Sequence, residues 1–257
     1  MRPGSDRNTP FEQGRFEDLP ERPRLPHRYA DAQSTMAAAL ATFVGELQDA
    51  LGIAGCETAA NSLGGYLCMR AALDDPARFA RLAVIHPPAV AEPRLVALHA
   101  ALKMPGAAAA LEHVVRRAPR RWAHKNVHYY DETLKSLEEA HEYGDPLASA
   151  AGARAFIGYL SDVLDPRELR AFERELRSRR ERGEGFPVPL MLVYAREDPT
   201  VPPKVGRRLA ALIPDAEFHW LEHTSHFVQV DRPPTAWPTC SPTFSCAAAD
   251  PPGLVVA

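Results

Sequence analysis

Two short, unbroken apolar runs, Leu82-Ala83-Val84-Ile85 and Leu190 to Tyr194, constrain this chain more than any other feature. A strand with one wet face alternates apolar and polar residues, whereas a strand covered on both faces has no polar side to show. The two runs therefore predict strands of a parallel sheet with helices packed on both faces. The first is stopped by Pro87-Pro88. A third candidate, Ala216 to Glu222, sets Phe218 and Trp220 on one face and His219 and Leu221 on the other, which suits a strand nearer the sheet edge. The segment from Lys204 to Leu212 reads as the helical crossover that parallel pairing requires.

The rest of the chain is arranged around these strands. A helix is expected from Ser34 to near Gly52, with Met36, Leu40, Phe43, Val44, Leu47 and Leu51 on its apolar face and Ser34 or Asp31 as cap. Cys56 to Asn61 reads as a short strand, and Tyr66, Leu67, Met69 and Ala71 as part of the following helix. Leu134/Leu137, Phe156/Tyr159/Leu160 and Leu169/Phe172/Leu176 have helical spacing in a long insertion. The organisation expected is an irregular arm over 1–33, an α/β core over 34–94 and 185–232, a helical cap over 95–184, and a disordered tail over 233–257. The tail is rich in proline, at Pro233, Pro234, Pro238 and Pro242.

Composition narrows the class of function. With 46% apolar residues in 257, the chain can bury one substantial core. A net charge of -3 offers no field for nucleic acid or an anionic membrane, so a small molecule is the expected partner. No apolar stretch approaches the ~18 residues of a membrane span, and the start, Met1 to Asn8, lacks the apolar region of a secretory signal. A cytoplasmic location follows as the expectation, with Cys56, Cys68, Cys240 and Cys246 as reduced thiols and Cys68 as a helix core residue. Arg116-Arg117, Arg120-Arg121 and the Arg/Glu-rich stretch from Arg167 to Arg182 read as solvated, ion-paired helix faces. His86, His113, His124, His128 and His141 show no metal-ligand spacing, and no metal or cofactor is expected.

The chemistry concentrates at three places. Ala60-Asn61-Ser62-Leu63-Gly64-Gly65 joins an expected strand to an expected helix, and small residues there permit a tight turn that lifts the Ser62 hydroxyl above the sheet. The backbone N–H of Leu63, at the start of that helix, can donate to a developing oxyanion. After the strand ending at Tyr194, the loop Ala195 to Pro203 carries Asp198, with Glu197 as the lesser candidate acid. An acid there can accept an imidazole N–H and hold its tautomer. After the third strand, Leu221 to Pro233 carries His226, with His223 as the rival base. Each residue also has a plainer reading: Ser62 as a helix cap, Asp198 as a turn residue, either histidine as structural.

Taken together in the order Ser, Asp, His, each after a predicted strand, these segments resemble the α/β-hydrolase family, serine-nucleophile branch, over about residues 35 to 232. Ser225, Phe227, Gln229 and Asp231 around His226 agree with its pattern. The resemblance implies a mostly parallel α/β-hydrolase sheet with a helical cap insertion, and a cofactor-free serine hydrolase. Its triad would be Ser62, Asp198 and His226, with Leu63 N–H in the oxyanion hole and a small ester or related acyl substrate, including a carbon–carbon bond. Trp122, Tyr129, Tyr130, Phe156 and Tyr159 are candidates to line an aromatic pocket.

The pattern also departs from that family. Ala60 replaces the first elbow glycine, and Glu57 stands where an apolar strand residue is expected. The family's first four strands and the loop that supplies its second oxyanion donor have no counterpart; only Phe16 to Arg28 faintly resembles the segment after the fourth strand. The tail cannot form the family's last helix. These departures lead to the expectation of a truncated fold whose strand before Ser62 is an exposed edge, free to pair with another copy or a partner. The alternative reading is thus a weakly active or inactive hydrolase-like protein that self-associates or binds through that edge.

Overall fold

The computed structural model describes residues 35–232 and the backbone of Val255–Val256. The arm at 1–33, and the tail apart from those two residues, lie outside the described residues, as do Cys240 and Cys246. The chain alternates strands and helices: α1 (Met36–Leu51), β1 (Cys56–Asn61), α2 (Ser62–Asp74), β2 (Phe79–Ile85), then α3 (Pro93–Leu102), α4 (Ala107–Arg117), α5 (Pro119–Asn126), α6 (Leu137–Ala148), α7 (Ala150–Gly158) and α8 (Pro166–Glu181). β3 (Leu190–Ala195), α9 (Pro203–Leu212), β4 (Glu217–Leu221) and the short α10 (Val228–Asp231) complete the main body. A two-residue strand, β5 (Val255–Val256), joins the sheet.

The sheet order is β4-β3-β2-β1-β5, and every pairing is parallel. All four strand ends that precede functional loops therefore open on one edge. β3, Leu-Met-Leu-Val-Tyr-Ala, is buried at all its positions, as its unbroken apolar run predicts. Leu82, Val84, Leu190, Leu192 and Tyr194 enter a large core with α2, α8 and α9, while Ile85, Met191, Val193, Leu221 and Val228 form a smaller cluster. This division follows the period of two along each strand. Leu169, Phe172 and Leu176 of α8, inside the segment read as a cap, pack in the large core.

β1 has few apolar residues, and two features hold it. Glu57 lies beside Arg81 of β2 in the register and pairs with it at 2.6 Å, a cross-strand ion pair where the sequence shows only an unexpected charge. Then α2 lies close over β2. A Cβ added to Gly65 would overlap Val84 Cγ1 and come within 3.2 Å of the Ala60 carbonyl oxygen, so only glycine permits that approach. On its other side β1 pairs at Thr58 and Ala59 with Val255 and Val256.

α1 corrects one expectation. Its cap is Thr35, whose hydroxyl accepts from Ala38 N–H at 3.3 Å, and its end is Gly52 with φ 66, as expected there. Its buried positions are mostly small residues, Ala37, Ala39, Ala41 and Gly45, together with Gln48, and Leu40 and Val44 are half-buried against the core. Met36, Leu47 and Leu51, read as part of the apolar face, are exposed. The reason is local: Arg78 donates to the Gly45 carbonyl at 2.9 Å and to Asp49 at 2.6 Å, and accepts through its own carbonyl from Gln48 at 3.0 Å. Those bonds turn the small-residue stripe inward.

The remaining polar features match their plain readings. Arg116 pairs with Glu112, Arg120 with Asp145 through two bonds, and Arg182 with Glu184. Cys68 is buried in α2, and burial pushes its thiol up to about 12. Among the described residues, no helix is long and apolar enough to cross a membrane.

Candidate active site

β1 runs directly into α2, and Ser62 is the first residue of the helix, with φ 52. Left-handed backbone in a residue with a Cβ costs roughly 1–3 kcal/mol and persists only where packing enforces it. The packing here is the Gly65 approach to β2 described above. Leu63 follows in the first turn, where helix N–H groups have no intrahelical acceptor and can serve an anion. Asn61, the cap position, makes no cap bond, and its side-chain oxygen is buried without a partner. No hydrogen bond joins Ser62 Oγ to His226 among the described residues.

β3 carries Asp198 in the loop just beyond its end. Its carboxylate takes three hydrogen bonds: Oδ1 accepts from Thr200 N–H at 2.6 Å and Val201 N–H at 3.0 Å, and Oδ2 faces His226 Nδ1 at 2.8 Å. Burial pushes the Asp198 pKa up, but the His226 bond and charge, His86 and the Val201 N–H together outweigh it and hold the carboxyl below its ordinary value. An ionised carboxylate is acceptor-only, so the proton of this bond belongs to His226 Nδ1, and in the neutral ring Nε2 carries the lone pair. Glu197, the lesser candidate, is exposed.

β4 leads through His223 (φ 56) to His226. Asp231 holds this loop: Oδ2 accepts from Ser225 N–H at 2.7 Å, and Oδ1 from Tyr130 N–H at 2.8 Å. Phe227 receives the edge contacts of Tyr129, at 5.4 Å between ring centroids, and of His226 itself. His223, the rival base, meets the Tyr130 hydroxyl at 2.9 Å and makes no bond to Asp198. Of the candidate pocket aromatics, Tyr129 and Tyr130 thus reach the histidine loop, while Phe156 and Tyr159 pack on each other.

Sequence reasoning missed His86. It follows β2 directly, has φ 48, is fully buried, and stacks on the His226 ring at 5.5 Å with 23° between planes. His86, Asp198 and His226 place three potential ligand atoms within 4.8 Å of one another. The chemistry of the donors argues against a cation there. Ala195 N–H donates to His86 Nε2 at 2.5 Å, which leaves the ring proton on Nδ1 and no lone pair facing the other two residues. The one signal in the sequence was position: carboxyl ends of parallel strands are where such folds build sites. Ser62, His86 and His223 are the described non-glycine residues with positive φ, and each lies at or just past the end of a strand.

Residues 20–233 match the family described as alpha/beta hydrolase fold. The uncharacterised hydrolase YugF of Bacillus subtilis (strain 168) is 24% identical over an alignment of 193 positions, and the match covers 67% of this chain and 59% of that protein. The chain thus spans less than two thirds of that relative's length. Among solved structures, an alpha/beta hydrolase fold protein from Burkholderia ambifaria superposes with a TM-score of 0.57 at 20% identity, covering 77% of this chain and 70% of its own. The 2-hydroxy-6-oxo-6-phenylhexa-2,4-dienoate hydrolase of Rhodococcus sp. strain RHA1 gives 0.55 at 17%, covering 76% and 66%. A thermophilic esterase from Thermogutta terrifontis gives 0.53 at 18%, covering 78% and 68%. At these identities the likeness is one of fold.

Proposed function

The chain belongs to the α/β-hydrolase fold family, and we propose that it is a serine hydrolase acting on a small ester or related acyl substrate, including a carbon–carbon bond. The observation that carries this reading is the buried Asp198–His226 bond, 2.8 Å long, on the sheet edge where left-handed Ser62 opens α2. Ser62 Oγ attacks the carbonyl carbon while its proton passes to His226 Nε2, and Asp198 holds the resulting imidazolium. Leu63 N–H donates to the tetrahedral oxyanion. Collapse breaks the acyl bond, His226 returns the proton to the leaving group, and an acyl-serine remains. Water then attacks, giving a proton to His226, and as the second tetrahedral intermediate collapses His226 returns that proton to Ser62 Oγ and the acid departs. In this reading the segment 95–184 serves as the cap, a role supported by Tyr130 and Tyr129 of that segment, which touch the histidine loop. The Rhodococcus dienoate hydrolase and the Thermogutta esterase, which share the fold, are compatible with a substrate of this class. The free thiols of Cys56 and Cys68 agree with a reducing compartment such as the cytoplasm.

A fluorophosphonate probe tests the reading. It should label folded wild-type protein at Ser62, and Ser62→Ala and His226→Ala should abolish the label and lower p-nitrophenyl acetate turnover by about 10⁶-fold, the scale of serine and histidine loss in such triads. Absence of labelling in a folded sample would overturn it. A second reading, a weakly active or inactive hydrolase-like protein that self-associates through β1, is favoured by one observation: the described outer pairing of that strand is confined to Thr58 and Ala59. Sedimentation showing a monomer at all concentrations would remove it.

A further inference from the structure

We propose that His86 is a positioning residue of this site: a neutral imidazole that clamps the backbone of His226 to the end of β3 and thereby sets the Asp198–His226 geometry. Its kinetic consequence rests on the serine-hydrolase reading; its structural one does not.

The two hydrogen bonds of the ring fix its state. Ala195 N–H can only donate, so His86 Nε2 carries a lone pair. The His226 carbonyl, 3.2 Å from Nδ1, can only accept, so Nδ1 carries the proton. Both partners are backbone groups, and no titration reverses their roles. Protonating the ring would set an Nε2–H against the Ala195 N–H, and burial already draws the His86 pKa down to about 4. The charged and titratable groups facing the ring are Asp198, His226 and Tyr194. Asp198 Oδ2 lies 3.7 Å from Nδ1, too far for a hydrogen bond, so His86 leaves the His226–Asp198 bond uncontested.

The placement is mechanical. Ala195 ends β3, three residues before Asp198, and His86 follows the last residue of β2. His86 N–H bonds to the Val193 carbonyl at 3.0 Å and the Tyr194 hydroxyl to the Pro87 carbonyl at 2.9 Å, so the two strand ends are fastened on either side of the ring. The left-handed φ of His86 is what turns the ring back toward Ala195 and His226. The carboxylate and the imidazole arrive from loops separated in sequence, and His86 gives both one anchor.

The test begins with wild-type protein carrying ¹⁵N-labelled histidine. His86 should show the Nδ1–H tautomer and stay neutral down to about pH 5, and a downfield proton should report His226 Nδ1–H bonded to Asp198. In His86→Phe, which keeps a ring and removes both bonds, the downfield proton should shift or vanish. Turnover number and probe acylation rate should fall about 10- to 100-fold, since misplacement of a catalytic group on the ångström scale carries that cost, while KM stays level. His86→Asn, which can still donate to the His226 carbonyl, should recover part of the loss. An Nε2–H tautomer, or a ring that titrates near neutrality, would overturn the proposal whether or not the variants fold. So would a folded His86→Phe with the wild-type resonance and acylation rate. Folded wild type that ignores the probe would defeat the hydrolase reading, and the tautomer and the resonance would still decide the role of His86.

Discussion

At the end of β3, Asp198 takes two backbone N–H groups and the His226 ring, and His226 is further held by His86 and, through Ser225, by Asp231. At the end of β1, Ser62 makes no hydrogen bond to His226, and the neighbouring Asn61 oxygen is buried without a partner. The proposed acid–base side is bonded together through side chains; the proposed nucleophile is held by backbone packing. A serine hydroxyl is a single rotor and can swing toward a base at little cost, whereas a buried carboxylate–imidazole pair left to find its own geometry would reorganise in every turnover. Under the proposed mechanism the contrast teaches where rigidity is invested: in the groups whose charge would change, and less in the group that only has to arrive.

Asp198→Asn attacks the rigid side most directly. The amide can meet His226 Nδ1 as a donor and favour the wrong tautomer, so turnover should drop about 10⁴-fold with the fold retained; a loss below tenfold in steady-state assays would mean that another group orients His226. Acid unfolding probes the same side next. Burial keeps His86 neutral in the folded state down to about 4 against an ordinary 6.5, so the unfolded chain alone binds that proton between those values. Stability should therefore fall as pH drops from 6.5 to about 4, by about 3 kcal/mol, in urea titrations, and His86→Asn should flatten that window. The depressed Asp198 adds stability that is complete above its unfolded value of 3.8 and lost as pH falls through its folded value, so its window lies lower.

Gly65→Ala tests the packing side. Its methyl overlaps Val84, and thermal or urea unfolding should show a loss of about 2 kcal/mol, with slower probe labelling as the elbow shifts. The smallest effect belongs to Tyr130→Phe, which removes the exposed bond to His223. It should cost at most about 1 kcal/mol in unfolding and leave turnover within a few-fold.

The same contrast explains what could be read from the chain. β2 and β3 were legible because a buried strand leaves an apolar run, β4 because its two faces alternate, and Asp198 and His226 because each follows such a strand. β1 was legible only by its motif: Cys-Glu-Thr-Ala-Ala-Asn has no strand signal of its own, and its charge makes sense once Arg81 is beside it. The apolar face of α1 was misread because periodicity weighs Leu above Ala, while a close helix contact selects the small residue. His86 was invisible because its bonds reach across 109 and 140 residues, and no local pattern records a partner that distant.

The left-handed backbone at Ser62, His86 and His223 has a consequence for laboratory evolution. Glycine adopts that conformation without the steric penalty a Cβ incurs. A library screened for heat resistance alone would drift toward glycine at Ser62 and His223, whose side chains are not buried, while the cost of losing a buried, doubly bonded ring would keep His86 in place. The gain at Ser62 would delete the hydroxyl on which the proposed chemistry depends, so the variant that best survives heating would be one without its candidate nucleophile.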